Sequence, residues 1–355
     1  MTEISEQDTF FMKRAIELAR LGLANTSPNP RVGAVVVHNG KIIGEGFHRK
    51  AGQGHAEVNA ISSVKPGDMA LLHQQATIYV TLEPCSHYGK TPPCAKLLID
   101  KGIKRVVVGS QDLSPKVNGK GIKMLEDAGI EVTILTGKIS QECKDLNPEF
   151  NSKYLNSRPF ITLKWAETAD GFMANNDGTP LAISSSITST LTHRLRARND
   201  VILTSSATVI ADNPRLDTRY WATGNAPLRA VIDRYGRVNP DSRIFQDDER
   251  NTLYFTLKER NDLKNAEQII IPADESKQLQ FIIDDIASRG LNSVLVEAGP
   301  RLLQSFIDGE LYDKIRIEKS AQVIGTSPVT APILPQSVKI SSSTTIGKNT
   351  ITTYK

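Results

Sequence analysis

The spacing of hydrophobic and polar positions divides the first part of the chain into alternating helices and strands. Residues 8–21 carry apolar side chains at helical spacing. Residues 31–47 predict two strands that meet at Asn39-Gly40, a step typical of tight hairpins. Further helices are predicted over HAEVNAISSV, CAKLLIDKG and GIKMLEDAG, and further strands over ATIYVTL, IKRVVVGS and IEVTIL. The alternation predicts an α/β layer with a mixed or mostly parallel sheet.

The periodic pattern is lost over ECKDLNPEFNSKYLNSRP, which predicts a polar connector and a domain boundary near residues 147–157. We therefore expect one domain over residues 1–150 and another over residues 151–355. Cys143 falls in the connector and is interpreted as incidental. Residues 234–265 are polar and give no clear pattern. The second half predicts strands over PFITLKWA, DVILTSS, LRAVID and SVLVEAG, helices over SSSITSTLTHRLRAR, LQFIIDDIASRG and PRLLQSFIDGE, and a strand or hairpin end over TTIGKNTITTYK.

Composition narrows the class of protein. The 355 residues are 39% hydrophobic and 23% charged, with a net charge of +4. This small charge favours acidic small molecules over a nucleic-acid surface as partners. No apolar run reaches the roughly 18 residues of a membrane span, and the N-terminus lacks the features of a secretory signal. With three cysteines, a disulfide framework is not expected, so the pattern indicates a cytoplasmic enzyme.

Candidate chemistry is concentrated in His55, Glu57, Cys85 and Cys94. Zinc favours imidazole and thiolate ligands, and a catalytic zinc site has three protein ligands and one open position. Glu57 lies two residues after His55 and is placed to carry protons without binding the metal. These are the parts of a zinc deaminase. A structural zinc site, a redox pair and ordinary packing remain as alternatives at this point.

The cysteine spacing departs from the usual deaminase signature, because eight residues separate Cys85 from Cys94 instead of two. The segments TSPNPRVGAVV, HAEVNA and TLEPCSHYGKTPPC together closely resemble the family of bifunctional riboflavin-biosynthesis proteins. In that family a diaminohydroxyphosphoribosylaminopyrimidine deaminase is fused to a 5-amino-6-(5-phosphoribosylamino)uracil reductase. The long loop between the two cysteines is the rule in that family, so the eight-residue spacing supports the resemblance.

The resemblance implies roles for residues of the first half. It implies a cytidine-deaminase-like three-layer α/β/α domain with Zn²⁺ held by His55, Cys85 and Cys94 and a proton shuttle at Glu57. The family's substrate carries a ribose phosphate, and the expected substrate contacts are Asn29, His48, His87 and Lys90. Each of these could instead be a solvated surface residue, and Asn29 could instead shape the turn before the strand.

The second half lacks the G-x-G-x-x-G fingerprint, although VEAGPRLLQSF and ILTSSATVIADNPRL each follow a strand with small residues. Taken alone, these segments are equally compatible with a strand-to-helix turn and a polar loop. The resemblance implies a dihydrofolate-reductase-like domain that uses NADPH. It implies cofactor contacts at Ala166, Thr208, Asp212, Gly299, Pro300, Arg301, Leu302, Leu303, Gln304 and Ser305, and substrate contacts at Lys164, Arg196, Leu216, Arg219 and Glu297.

Lys164 and Asp170 also match family positions, and a fold-stabilising salt bridge is an alternative role for them. Three departures from the family pattern concern this half: SSATV replaces a glycine-rich segment, Ala298 replaces a glycine, and Ala182 replaces an aromatic residue.

The implied activity is zinc-dependent deamination of 2,5-diamino-6-(5-phosphoribosylamino)pyrimidin-4(3H)-one, followed by NADPH-dependent reduction of the ribosyl group to ribityl. The expected partners are phosphorylated pyrimidines, with neither nucleic acid nor membrane, and a homodimer through the second domain is implied. A nucleic-acid or free-nucleobase deaminase with an accessory domain and a non-enzymatic zinc module are the alternatives.

Overall fold

The chain divides into two compact units, Met1–Ser157 and Arg158–Lys355. Across the described ranges, no helix has both the length and the apolar character that a membrane crossing requires. The computed structural model describes residues 5–88, 92–221, 226–246 and 252–355.

The first unit is built on a five-stranded mixed sheet of order β2-β1-β3-β4-β5, in which β1 runs antiparallel to both neighbours and β3, β4 and β5 are parallel. The mixed sheet predicted from the alternation is confirmed. Its elements are α1 (Glu6–Arg20), β1 (Gly33–His38), β2 (Lys41–Phe47), α2 (Ala56–Ser62), β3 (Thr77–Val80), α3 (Cys94–Asp100), β4 (Arg105–Val108), α4 (Lys120–Asp127), β5 (Glu131–Ile134), α5 (Gly137–Lys144) and α6 (Pro148–Leu155).

The predicted hairpin forms at Asn39-Gly40, where both residues have positive φ, 48° and 72°. This geometry matches the twist of paired strands, and a glycine and an asparagine adopt it at little cost. Apolar side chains on alternate strand positions then fill two cores. One packs against α2, α3 and α4 and contains Val36, whereas the other packs against α1 and α5 and contains Val35. The unit therefore has three layers, with helices on both faces of the sheet.

The expectation of a polar connector around Cys143 is wrong. Residues 137–144 and 148–155 are helical, and Cys143 is buried in the core on the α1 side of the sheet. Ile139, Cys143 and Leu146 follow helical spacing and share that core. Three apolar positions among polar residues are too few to show a helical period in the sequence. Cys143 is close enough to Gly109 that an added methyl group there would meet its sulfur at 2.4 Å.

The second unit contains a nine-stranded sheet of order β10-β9-β8-β7-β11-β6-β12-β14-β13. The strands from β10 to β12 are parallel, and β13 and β14 add an antiparallel hairpin, as the tail sequence predicts. Its elements are β6 (Phe160–Glu167), α7 (Ser186–Arg196), β7 (Val201–Ser205), α8 (Ser206–Asp212), β8 (Leu228–Ile232), β9 (Thr252–Thr256), β10 (Ala266–Ile270), α9 (Glu275–Ser288), β11 (Ser293–Glu297), α10 (Pro300–Asp308), β12 (Lys314–Ser320), β13 (Ile340–Ile346) and β14 (Asn349–Tyr354).

The parallel strands bring several polar side chains to one edge of this sheet. The odd-numbered residues of β6 and β12 lie in the core beneath α9 and α10, so their even-numbered residues face the opposite side. The carboxyl ends of β6, β7, β11 and β12 meet at one edge, where ligands bind in open parallel sheets. Both α8 and α10 begin directly beyond strands at that edge.

Candidate functional sites

Three metal-ligand side chains converge in the first unit. His55 is the N-cap residue of α2, Cys94 is the first residue of α3, and Cys85 lies in the loop that follows β3. Their ligand atoms all lie within 4.8 Å of one another, and the backbone N–H of Cys94 donates to Cys85 Sγ at 3.2 Å. The loop and the two helix starts therefore hold the side chains at one point.

The geometry fits tetrahedral zinc. Bonds of about 2.3 Å to sulfur and about 2.0–2.1 Å to nitrogen place the two ligand atoms roughly 3.6 Å apart in a tetrahedron. His55 Nδ1 lies 3.6 Å from Cys85 Sγ and 3.3 Å from Cys94 Sγ. The Cys94 thiol and the His55 ring both hydrogen-bond to Cys85, and these contacts lower the pKa of the Cys85 thiol. One imidazole and two sulfurs leave the fourth position of a tetrahedral ion open.

Glu57 lies in the first turn of α2 and is only 3% exposed. Burial raises the pKa of this carboxyl group to about 7, and the Cys85 thiolate adds to the effect. An acid-base catalyst is most effective when its pKa lies near the working pH. Glu57 therefore has the position and the acidity of a proton carrier beside the ligand cluster.

Two of the expected substrate contacts adjoin the cluster. Asn29 Nδ2 and His48 Nε2 lie 3.2 Å apart, and the rings of His48 and His55 meet edge to face with 5.5 Å between their centres. His48 Nδ1 lies 3.1 Å from the carbonyl oxygen of Gly54, which fixes the ring. His87 is exposed, and Lys90 lies outside the described residues.

Two buried acidic residues near the cluster were not among the expected site residues. Glu83, within the same EPC segment as Cys85, accepts hydrogen bonds from four backbone N–H groups, two at each oxygen. Asp112 is 6% exposed, and burial raises its pKa to about 6, against a hydrogen bond from the Ser114 N–H. The EPC segment could have suggested Glu83, whereas Asp112 is recognisable only from the fold.

Replacing Glu83 with alanine is expected to destabilise the first unit by on the order of 3 kcal/mol, because four backbone amides of residues 112–122 lose their acceptor. Far-UV circular dichroism during urea unfolding measures the change. Both tryptophans, Trp165 and Trp221, lie in the second unit, so tryptophan fluorescence should report an unaltered transition there. Glu126→Ala on the exposed side of α4 is the control, and a Glu83→Ala transition that coincides with the control's contradicts the assignment.

The second unit has a charged cluster at the carboxyl ends of its strands. Lys164 on β6 lies in register beside Glu297 on β11. Arg196, the last residue of α7, donates from Nε and Nη2 to the two Glu297 oxygens at 2.7 and 2.9 Å. Arg196 Nη1 also donates to the carbonyl oxygen of Asp217 at 3.2 Å, which ties the cluster to the loop after α8.

Charge, more than burial, sets the protonation state of Glu297. Burial alone would raise its pKa, but Arg196, Lys164 and Arg316 together lower it to about 2. The carboxylate is therefore ionised throughout the physiological range. Burial lowers the pKa of the Lys164 ammonium group, with further contributions from Arg196 and Arg316.

The remaining expected substrate contacts lie in the loop after α8. Leu216 is 4% exposed and has a φ of 50°. Arg219 is exposed, and its Nη1 lies 2.6 Å from Asp217 Oδ1. Asp170 accepts hydrogen bonds from the backbone of Ile324 and Gly325, so it holds that loop and forms no salt bridge within the described residues.

The expected NADPH contacts surround the start of α10. The N–H of Gly299 donates to Thr208 Oγ1 at 3.0 Å, which joins α10 to α8. A side chain at Gly299 would meet nothing closer than Thr208 Oγ1 at 4.0 Å, so open space lies in front of this helix start. The other expected contacts differ in burial: Asp212 and Arg301 are exposed, Leu303 lies in the core, and the half-buried ones are Ala166, Pro300 and Leu302. Gln304 donates to Asp308, and Ser305 donates to the carbonyl oxygen of Arg301.

These features fit a dinucleotide. The positive end of α10 and its open space suit a phosphate group. Two buried polar atoms of the sheet, Thr204 Oγ1 and Arg316 Nη1, have no hydrogen-bond partner within the described residues. Buried polar groups in native proteins are nearly always paired, so this surface suits a polar ligand.

Comparison with known proteins accounts for both units. Residues 5–110 match the family described as cytidine and deoxycytidylate deaminase zinc-binding region, and residues 159–352 match the RibD C-terminal domain. The riboflavin biosynthesis protein RibD of Aquifex aeolicus is 38% identical over 324 residues, which cover 91% of this chain and 89% of that protein. RibD of Escherichia coli is 36% identical over 334 residues, covering 90% and 89%.

The fold agrees with a solved structure along nearly its whole length. A deaminase/reductase from Thermotoga maritima, described as a diaminohydroxyphosphoribosylaminopyrimidine deaminase/5-amino-6-(5-phosphoribosylamino)uracil reductase, superposes with a TM-score of 0.87 at 34% identity and 98% coverage of both chains. The cytidine-deaminase-like and dihydrofolate-reductase-like folds expected for the two parts are confirmed. The chain belongs to the RibD family of riboflavin biosynthesis proteins.

Proposed function

We propose that this chain catalyses two steps of riboflavin biosynthesis. The first is hydrolytic deamination of 2,5-diamino-6-(5-phosphoribosylamino)pyrimidin-4(3H)-one, assigned to residues 1–150. The second is NADPH-dependent reduction of the ribosyl group of 5-amino-6-(5-phosphoribosylamino)uracil, assigned to residues 151–355. The observation that carries the proposal is the cluster of His55, Cys85 and Cys94 with the buried acid Glu57 beside it.

In the deaminase site, His55, Cys85 and Cys94 would hold zinc, which supplies the Lewis acidity that makes water a nucleophile at neutral pH. Glu57 takes a proton on the nucleophile side and delivers it to the pyrimidine and then to the leaving amine, which departs as ammonia. The amide of Asn29, held by His48, offers hydrogen bonds to the pyrimidine edge. His87 and Lys90 are assigned to the ribose phosphate.

In the reductase site, NADPH supplies the hydride, and the chain positions the sugar carbon that receives it. Thr208, Asp212 and the start of α10, Gly299–Ser305, are assigned to the cofactor together with Ala166. Arg196 and Arg219 are assigned to the substrate. The exposed guanidinium group of Arg219 can hold two phosphate oxygens, whereas Arg196, bound to both Glu297 oxygens, has only its remaining N–H groups for the substrate. Lys164, Leu216 and Glu297 complete the substrate contacts.

The alternative of a nucleic-acid or free-nucleobase deaminase with an accessory domain is not favoured. The second unit matches the RibD C-terminal domain over residues 159–352, and RibD relatives align with both units at once. An accessory domain would not need the reductase family's fold.

The proposal is tested by supplying the purified chain with the diaminopyrimidine substrate, with and without NADPH. We expect ammonia release in both cases, and NADPH absorbance should fall only after deamination, with one cofactor oxidised per ammonia released. Ammonia without any NADPH oxidation would remove the reductase assignment. NADPH oxidation of the deaminated compound without ammonia release from the first substrate would remove the deaminase assignment.

We further propose a cytoplasmic homodimer joined through the second unit. Supporting this, the edge strand β13 is exposed along almost its whole length, and Ile340 on it is 64% exposed. Exposed edge strands pair readily with another chain. Sedimentation velocity of the full chain should give the dimer mass, and Ile340→Lys should shift the distribution towards the monomer.

A further inference from the structure

Three neighbouring strands of the second unit carry a row of charges on one face. Glu297 on β11 is paired in register with Lys164 on β6, and Lys164 is paired with Arg316 on β12. Arg316 is 9% exposed, and Glu318, two residues further along β12 and on the same face, is fully buried. Neighbouring strands lie about 4.8 Å apart, so Lys164 has a carboxylate on one side and a guanidinium on the other.

Other groups already occupy both carboxylates of this row. Glu297 accepts two hydrogen bonds from Arg196. Glu318 accepts from the Ser184 hydroxyl at 2.8 Å and from the Asn349 amide at 2.7 Å, both of which are neutral. Three cations, Lys164, Arg196 and Arg316, therefore face two carboxylates, and one positive charge remains in excess.

This excess leaves Lys164 without a carboxylate of its own. Glu297 and Glu318 act on its ammonium group only through space, and no hydrogen bond joins them within the described part of the chain. Without Arg316 the row would hold two cations and two carboxylates, and Lys164 would be the natural counter-ion of Glu318. With Arg316 present, Glu318 has a cation on its own strand, two residues away.

We propose that Arg316 is a positioning residue of the reductase site: its charge beside Lys164 keeps the lysine ammonium group free of a carboxylate partner and available as a donor to the substrate. The inference rests on the proposed reductase function. It does not depend on any residue of the zinc-binding unit.

The reduction requires a proton donor at this position. When hydride reaches the sugar carbon C1′, the bond from C1′ to the ring oxygen breaks and that oxygen ends as a hydroxyl group. A proton must therefore reach the oxygen, and the Lys164 ammonium group can supply it and be reprotonated from water. A lysine locked to a carboxylate would be a weaker acid, because an adjacent negative charge raises the pKa of an ammonium group.

The charges that act on Lys164 come from the two neighbouring strands, β11 and β12, and from α7. Glu297 on β11 and Glu318 on β12 raise its pKa, whereas burial, Arg196 on α7 and Arg316 on β12 lower it. Burial lowers the pKa of the Arg316 guanidinium group, but arginine is not deprotonated in proteins, so Arg316 keeps its charge at neutral pH. Removing its charge should therefore raise the pKa of Lys164 and leave the other groups in place.

The test measures Lys164 directly, by NMR titration of the chain labelled at the lysine ε-carbon, with Lys164→Met to assign the resonance. In the native chain we expect a pKa below the ordinary value of about 10.4. Arg316→Met should raise it by about one unit or more, whereas Arg316→Lys should leave it low. Arg289→Met is the matched control, because it removes a cation paired with Glu267 and Asp285 elsewhere in the same unit.

Enzyme assays on the deaminated substrate give the second measurement. The basic limb of the reductase pH profile should move upward in Arg316→Met in step with the NMR titration, and kcat at neutral pH should fall about tenfold. Ammonia release should stay unchanged. If Arg316→Met does not fold, Arg316→Gln removes the same charge and the same titration decides.

An unchanged Lys164 titration in a folded Arg316→Met or Arg316→Gln chain overturns the inference. If the native chain fails to oxidise NADPH, the proposed function fails instead, and the titration still shows whether Arg316 controls Lys164.

Discussion

Glu57→Gln is expected to retain the bound metal and to release ammonia about 10²–10⁴-fold more slowly than the native chain. Glutamine keeps the size of the buried side chain and cannot carry a proton between the nucleophile and the leaving amine. The metal ligands should stay in place, since the contacts among His55, Cys85 and Cys94 do not pass through Glu57. A glutamine can also keep a hydrogen bond to Cys94, as Glu57 has. Initial rates of ammonia release and the metal content by atomic absorption are the two measurements.

The second activity provides an internal control for this variant. NADPH oxidation on the already deaminated substrate should remain at the native rate, because Glu57 lies in the first unit and the reductase residues lie in the second. Glu126→Gln, on the exposed side of α4, should alter neither activity. Native-rate ammonia release by a metal-loaded Glu57→Gln chain would show that another group carries the protons.

Where local signals were strong, the sequence predicted the fold well. The Asn39-Gly40 hairpin and the alternation of apolar positions on the strands are determined by neighbouring residues, and both formed as expected. The residue types in HAEVNA and EPCSHYGKTPPC indicated a zinc-type ligand set. The structure shows why such distant residues can act together: His55 and Cys94 each begin a helix beside the same loop.

Where polar residues occupy buried positions, the pattern gave the wrong answer or none. The polar neighbours of Cys143 hid the short apolar stripe of α5. The strand β12 was not predicted, because Arg316 and Glu318 place charges on its buried face where a strand normally carries apolar residues. The row of Glu297, Lys164 and Arg316 depends on strands that are adjacent in the sheet and far apart in the chain, which no local pattern reveals.

Breaking the buried ion pair between Arg196 and Glu297 should strongly lower the free energy of unfolding of the second unit. In Glu297→Gln the guanidinium group of Arg196 stays buried and loses its counter-charge, which typically costs about 3–5 kcal/mol. Because the pair also fixes the orientation of Arg196, NADPH oxidation should fall about 100-fold. Tryptophan fluorescence during urea unfolding measures the stability of this unit alone, because Trp165 and Trp221 both belong to it.

The pH dependence separates this charge pair from a packing effect. The pKa of Glu297 is about 2 in the folded chain, against a reference value of 4.5, so ionisation contributes about 3 kcal/mol of stability. That contribution is complete above the reference pKa and is lost as the pH falls towards 2. The difference in free energy of unfolding between the native chain and Glu297→Gln should therefore shrink between about pH 5 and pH 2. Glu275→Gln, which removes an exposed partner of Arg234, is the control, and its stability relative to the native chain should not change in this way with pH. A constant stability difference between the native and Glu297→Gln chains across this range would mean that packing, not charge, holds Glu297 in place.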